Sequence, residues 1–271
     1  MFRNSTIIGC GLTTLIGFTI SRLVACWMAT HGGLTKLRQS TKPSRILAHH
    51  LTSAKSPLWT WFLSITMSSL VYPTCLTLAY VATSSKMNWL QGSDGSSIHD
   101  DSNYGLRLFL YSFFGYIASD IPSNVGDNLF FAHHVCCLLG ILCTLETTSS
   151  ASVPAALGIF ILEEGSLVFN VWSLDKALFK YPAFLPWWPR FESTAQKRSA
   201  LNWTYYSLMT VSNSTSFVFL WRATTIAMNN GFYAFAFSGI CFGTPMIIVR
   251  QMNVFMEKKP DVVELTKEQQ Q

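Results

Sequence analysis

Apolar runs of membrane-spanning length recur along this chain and limit what it can fold into. Seven runs can be read, at residues 5–30, 58–82, 104–121, 128–146, 153–173, 204–225 and 232–250. A membrane-spanning helix needs about 20 mostly apolar residues. Only 12% of the residues are charged, whereas a soluble domain carries about 25%. We therefore predict an all-α fold, a polytopic helical bundle in a membrane.

The first run is open to two interpretations, because Arg22 interrupts it. A cleaved signal peptide has an apolar core of about 7–15 residues. The length that follows Arg22, and the single basic residue Arg3 before the run, favour a retained span. The expected parts are an N-terminal span with a basic loop (1–56), a membrane domain (57–250) and a polar tail (251–271).

Basic residues collect on one side of the predicted spans. Loop 31–57, loop 174–203 and the segment from Arg250 onward hold 14 of the 19 Lys and Arg residues. Cytosolic loops carry the excess of these residues in membrane proteins. The bias predicts a lumenal N-terminus and a cytosolic C-terminus. Anionic lipid headgroups are sufficient partners for these charges, and no nucleic acid is required.

The chain offers no motif for a metal or another cofactor, and we expect none. Its seven cysteines all fall within predicted spans and form no CxxC pair, so neither a zinc site nor a disulfide framework is indicated. Its six histidines form no HxxxH or HxxHH spacing, which argues against a membrane di-iron hydroxylase.

Two adjacent histidines, His133 and His134, lie about one turn inside the fourth run. Neighbours in sequence do not face each other on a helix, so the pair is not a ready-made chelate. Asp127 shares the face of His134, since positions seven apart line up on a helix. Intramembrane ionisable residues are functional candidates by default.

The fifth run carries two adjacent acids, Glu163 and Glu164, near its middle, with Ser166 and Asn170 on the face of Glu163. An ionised acid at that depth costs about 2.5–3.5 kcal/mol on insertion scales. At least one carboxyl is therefore expected to be protonated, paired or beside a wet cavity. If the two helix faces meet, His134 can hydrogen-bond a side chain of this run. Asn213 in the sixth run is a further candidate, although a helix-bridging role would explain it.

These segments resemble the TLC domain family, which includes the ceramide synthases. The matching segments are "YIASD" (116–120), "FFAHHVCCLLG" (130–140) and "ILEEGSLVFNVW" (161–172), within a similarity covering roughly residues 57–250. Ceramide synthases carry a further His-Asp and Asp in the span after the histidines, whereas the only Asp here is Asp175, at the end of that span. The chain is therefore more similar to the non-synthase branch.

The resemblance implies a six-span core with an additional N-terminal span, and a role in membrane lipid homeostasis in the endoplasmic reticulum. The expected ligand is a sphingolipid, phospholipid or fatty acyl chain in an intramembrane cavity, with His133, His134 and Glu164 at its headgroup. The candidate binding residues are Asp120, Asp127, Glu163, Glu164, Ser166, Asn170 and Asn213.

Two other functions remain open. An acyl-CoA-dependent acyltransferase similar to ceramide synthases would use His133 or His134 as its general base, with cytosolic Lys and Arg side chains attracting the phosphates of acyl-CoA. A transporter is the other possibility, because buried acids also serve proton coupling, but the sequence contains no inverted repeat.

Overall fold

The computed structural model describes seven ranges of the chain, and all structural statements below concern them. The ranges are 3–31, 59–83, 97–100, 103–124, 128–148, 150–180 and 195–257. Within these ranges the regular structure is helical and contains no strand. The all-α prediction is therefore confirmed.

The described helices differ mainly in length. They are α1 (Asn4–His31), α2 (Trp59–Thr66), α3 (Tyr72–Thr83), α4 (Tyr104–Asn124), α5 (Asn128–Glu146), α6 (Ser152–Lys180), α7 (Ala195–Asn229), α8 (Tyr233–Ser238) and α9 (Thr244–Glu257). A π-helix, Met67–Val71, joins α2 to α3, and a second one, Gly239–Gly243, joins α8 to α9.

Three helical segments are long and apolar enough to cross a membrane, as judged by length and composition. They are Asn4–Val24, Ser152–Trp172 and Tyr233–Phe255, and the apolar helices Leu63–Ala79 and Phe131–Glu146 are shorter. This finding is consistent with an integral membrane protein. The seven-span count, the six-span core and the membrane orientation stay predictions.

Both π-helices lie directly before a proline that is the second residue of the next α-helix. Pro73 follows Tyr72, whose N–H bonds the Met67 carbonyl, and Pro245 follows Thr244, whose N–H bonds the Gly239 carbonyl. Proline lacks an N–H, and its ring clashes with the carbonyl four residues earlier. The wider π turn is a common way for a helix to bend at such a point.

Three contacts show which helix ends lie together. The backbone N–H of Arg3, just before α1, bonds both carboxylate oxygens of Glu146 at the end of α5, at 3.2 Å each. The Ile98 N–H, before α4, bonds Ser152 Oγ at the start of α6 at 2.9 Å. Ala227, near the end of α7, packs with buried residues at the starts of α6 and α8. We call this end A and the opposite end of the bundle end B; α1 begins at end A and α9 ends at end B.

The buried core is centred on α4, whose Phe109 and Phe113 pack with Tyr72 of α3 and with Phe160 of α6. Helix α1 lies close against α4 at Gly115, where an added Cβ would overlap the backbone of Thr13. Small residues allow this close approach between helices. The outward faces of α1, α7, α8 and α9 expose large apolar side chains, as lipid-facing helices do.

Candidate functional site

Asp120 and His134 form a buried pair between α4 and α5. Nε2 of His134 lies 3.0 Å from Oδ2 of Asp120, and the two residues are only 5% and 6% exposed. This contact is with α4, whereas the sequence analysis considered a hydrogen bond from His134 to a side chain of residues 153–173. A helical side chain leans toward the N-terminus of its own helix, and α4 ends where α5 begins.

The rings of His133 and His134 are in edge-to-face contact, whereas the helical spacing predicted that His133 points well away from His134. The two ring centroids are 5.6 Å apart at an interplanar angle of 81°. Nδ1 of His133 lies 2.9 Å from Sδ of Met246 on α9, and its Nε2 lies 3.6 Å from Sγ of Cys137, one turn along α5. His133 therefore contacts sulfur atoms and not the Asp120 carboxylate.

The sequence analysis missed a central residue of this region, Arg250. Its guanidinium enters the bundle from α9 and donates Nη1–H to Ser166 Oγ at 2.9 Å and Nη2–H to the Leu162 carbonyl at 2.8 Å. Gly165 makes room for it, since a Cβ there would lie 2.8 Å from Nη2. The basic-residue pattern placed Arg250 at a cytosolic boundary, because the last run was read as ending there. The apolar segment extends from Tyr233 to Phe255, and the position of Arg250 inside it was the signal of a role within the bundle.

Glu163 is buried on α6, at 5% exposure, beside the Ser166 hydroxyl and within the electrostatic reach of both Arg250 and His134. Within the described ranges, no carboxylate oxygen lies within 4.0 Å of the Arg250 guanidinium. Glu163 and Arg250 are thus close enough to influence each other without forming an ion pair.

The remaining candidates do not take part in these contacts. Oε1 of Glu164 is buried with no hydrogen-bond partner. Asn170 donates to Ser64 Oγ of α2 at 2.6 Å, and Asn213 donates to Oε1 of Gln251 on α9 at 2.7 Å. These two amides bridge helices, which is the role that was considered for Asn213. Asp127 lies outside the described residues.

An apolar cavity of about 220 Å³ lies between α5, α6, α7 and the α8–α9 segment. Its wall follows α5 from Cys136 to Thr144, a rise of about 12 Å. Glu163 lines it at the end toward end B, and it is the only Asp, Glu, Lys, Arg or His among the described lining residues. Neither histidine lines this cavity, nor does Glu164, so the expected headgroup contacts of these three residues are not seen there.

The site is therefore a line of contacts on four helices and not one convergent cluster. It joins Asp120, His134, Glu163, Ser166 and Arg250, with the cavity opening from Glu163 toward end A. Among the described residues, no three His, Cys, Asp or Glu side chains are arranged to hold a metal ion.

A second polar group lies at end A, around His99. His99 is next to Arg3, Arg107 and Glu146, and the Arg107 Nη1–H bonds its backbone carbonyl at 2.9 Å. Burial lowers the pKa of His99, and the positive charge of Arg3 lowers it further.

No protein-family model matches this chain, and no curated protein or solved structure shows significant similarity to it. The resemblance to the TLC domain family thus depends on the sequence segments alone.

Proposed function

We propose that this chain is a multi-pass membrane protein of the TLC type that contributes to membrane lipid homeostasis, in the endoplasmic reticulum, by binding lipid in its intramembrane cavity. The observation that carries the proposal is the apolar cavity of about 220 Å³ that ends at the Glu163 carboxyl. An apolar hollow with one polar end matches a lipid chain with one polar end.

The positions of the motif residues support the proposed family. Asp120 comes from the segment "YIASD", His134 from "FFAHHVCCLLG", and Glu163 and Ser166 from "ILEEGSLVFNVW". These three segments lie on α4, α5 and α6. Glu163 lines the cavity, and His134, which is paired with Asp120, lies within the electrostatic reach of Glu163.

A cavity-filling substitution tests the proposal. A Cβ added at Gly140, in the wall of the cavity, would have no atom within 4 Å, and the same is true of Gly11 on the exposed face of α1. Gly140→Leu should therefore fill the cavity without a clash, whereas Gly11→Leu adds the same side chain elsewhere. Mass spectrometry of lipid that co-purifies with each variant gives the readout.

We expect Gly140→Leu to lower the bound lipid at least fivefold, and Gly11→Leu to leave it at the wild-type amount. Equal lipid in all three proteins would show that the cavity is not the binding site. Wild-type protein that retains no stoichiometric lipid would count against a lipid-binding function altogether.

The second candidate is an acyl-CoA-dependent acyltransferase, and the Asp120–His134 contact favours it. A carboxylate that holds an imidazole at 3.0 Å orients a general base in many acyl-transfer enzymes. A base must also reach the proton that it removes, and His134 is buried beside α4 and outside the cavity wall. The cavity therefore supports binding more directly than catalysis.

A further inference from the structure

The wall of the cavity contains a thiol that is paired with a histidine. Three cysteines of α5 line the cavity, Cys136, Cys137 and Cys143, and all three are free thiols. Of these three, only Cys137 contacts a histidine in the described ranges, with its Sγ 3.6 Å from Nε2 of His133, one turn earlier on α5. A nucleophile beside a base is the arrangement of a site for covalent chemistry.

The contacts of His133 define which of its nitrogens carries the proton. Nδ1 lies 2.9 Å from Sδ of Met246. A thioether sulfur has no hydrogen and can only accept, so Nδ1–H donates to Met246. Within the described ranges no carboxylate oxygen lies within 4.0 Å of the ring, and in a neutral imidazole the other nitrogen is an acceptor. Nε2 therefore accepts from the Cys137 thiol, and Met246 orients the base.

The Cys137 thiol keeps its proton until an electrophile arrives. A resting pair of thiolate and imidazolium would place two charges in apolar surroundings, and removing each charge from water costs several kcal/mol. The proton moves to Nε2 only as Sγ attacks, which is general-base catalysis. Residues four apart are neighbours on a helix, so α5 holds the base beside the nucleophile before the reaction.

The space next to Cys137 has the dimensions of one hydrocarbon chain. From Cys137 the wall continues along α5 to Thr144, about 10 Å toward end A. Gly140 leaves open space in this direction, since an added Cβ would have no atom within 4 Å. An engineered cavity of about 150 Å³ holds a benzene molecule. The cavity volume of about 220 Å³ therefore holds part of one extended chain and excludes the two chains of a phospholipid.

The reaction partner must combine an electrophilic carbon with a hydrocarbon chain. A long-chain acyl thioester, such as acyl-coenzyme A, has both. Its reaction with a thiol exchanges one thioester for another, so it needs no oxidant, reductant or further reactant.

We propose that Cys137 is an S-acylation site that takes a single fatty acyl chain from an acyl thioester, with His133 as the general base. Sγ forms a bond to the acyl carbon while the thiol proton moves to Nε2. The bond from that carbon to the sulfur of coenzyme A then breaks, and the proton passes from His133 to the departing thiolate. This inference rests on the lipid-binding function proposed above and specifies a lipid that is covalently attached.

Acylation of the purified full-length protein tests the proposal. The protein is first treated with neutral hydroxylamine, which removes any resident thioester, and is then incubated in detergent with palmitoyl-coenzyme A. Intact-mass spectrometry should show one palmitoyl group per chain, peptide mapping should locate it at Cys137, and hydroxylamine should release it. Acetyl-coenzyme A has the same thioester but no chain to enter the cavity, and it should react at least tenfold more slowly.

Substitutions then assign the roles of the pair. Cys137→Ser should abolish the palmitoyl label, and His133→Ala should slow its formation at least tenfold. Cys241→Ser removes an exposed thiol outside the cavity wall and should not change the rate. Thermal unfolding shows whether each variant is folded, and the mapping on the wild-type chain does not depend on any variant.

The possible failures are distinguishable. A label on Cys136, Cys143 or Cys241 instead of Cys137 would overturn the proposal, and so would an undiminished rate in His133→Ala or an equal rate with acetyl-coenzyme A. If no label forms although Gly140→Leu lowers the co-purified lipid, the covalent step is wrong and lipid binding stands. If the wild-type chain neither takes the label nor retains lipid, the lipid-binding function itself is wrong.

Discussion

At the scale of single residues, the sequence identified most of the polar positions but not their partners. His134 and Glu163 were candidates because ionisable groups in apolar runs are rare, and Asp120 was one because of its place in the segment "YIASD". Their pairing depends on how α4, α5 and α6 pack, and no local pattern encodes that. Arg250 was counted as a boundary charge, because a basic residue near the end of an apolar run is usually at the interface.

The Asp120–His134 pair provides a test at this scale. Asp120→Ala and His134→Ala should each lower the free energy of unfolding by about 1–3 kcal/mol, because each leaves a buried polar partner unsatisfied. The free energy of unfolding of the double variant should fall by about 0.5–3 kcal/mol less than the sum of the two single losses, because the contact between the two residues is lost only once. Unfolding by denaturing detergent in mixed micelles measures all three.

Glu164→Gln is the matched control, since Oε1 of Glu164 has no hydrogen-bond partner to lose. Neutralising this half-buried acid should leave stability unchanged or raise it. Strictly additive losses at Asp120 and His134 would refute the coupling. A fully stable His134→Ala chain that no longer transfers an acyl group from acyl-CoA would favour the acyltransferase function.

At the scale of helices, the apolar runs predicted where the elements lie more accurately than where they end. The run 128–146 coincides with α5, whereas α6 and α7 continue beyond the runs 153–173 and 204–225 into polar sequence. A hydropathy pattern detects the apolar part of a helix. Backbone hydrogen bonds extend the helix beyond it into polar sequence. The helix α9 likewise continues to Glu257, past the expected domain limit at 250.

The proline positions show a similar division between what was predicted and what was not. Pro245 lies inside the last apolar run, where a proline predicts a kink, and the chain does depart from α-helical geometry just before it, in the π-helix Gly239–Gly243. The form of the irregularity was not predictable, because a proline is compatible with a kink, a break or a wide turn. Pro73 has the same arrangement and was not singled out.

Gly165 tests the packing of α6 against α7 and α9. Gly165→Ala places a Cβ against Ser212 and the Arg250 guanidinium, and overpacking of this kind costs about 1–3 kcal/mol. Gly11→Ala has open space around it and should be neutral or raise stability by up to about 1 kcal/mol, since alanine favours a helix. The same detergent unfolding assay compares them; an equally stable Gly165→Ala chain would mean that Arg250 does not occupy this position.

At the scale of the whole molecule, we predict from the exposed face of α7 where the membrane lies, although α7 is not among the three segments that are long and apolar enough to cross one. Trp203 and Trp221 are each 61% exposed, and no charged residue lies between them. Their 18-residue separation places them on one helix face about 27 Å apart, close to the thickness of about 30 Å of a bilayer core. Leu208, Val211 and Val218 are exposed between them, as expected for a lipid-facing surface with aromatic residues at both interfaces.

The predicted placement would also set the depth of the site. Met209, which contacts Arg250, lies six residues from Trp203 and thus about 9 Å along α7 from the interface at end B. The cavity wall continues along α7 to Leu220, toward end A. A ligand in the proposed position therefore keeps its polar end in the end-B half of the membrane, where the basic loops were predicted, and its chain points toward the middle.

Depth-dependent fluorescence quenching tests the placement. The protein is placed in liposomes whose lipids are brominated either near the headgroup or near the chain end. The difference in emission between the wild type and Trp203→Phe gives the signal of Trp203, and the difference for Trp221→Phe gives the signal of Trp221. Both signals should be quenched more strongly by the bromines near the headgroup, because an indole ring settles at the interface. Stronger quenching of either ring by bromines at the chain end would place it near the bilayer centre, and α7 could not then span the membrane between these two residues.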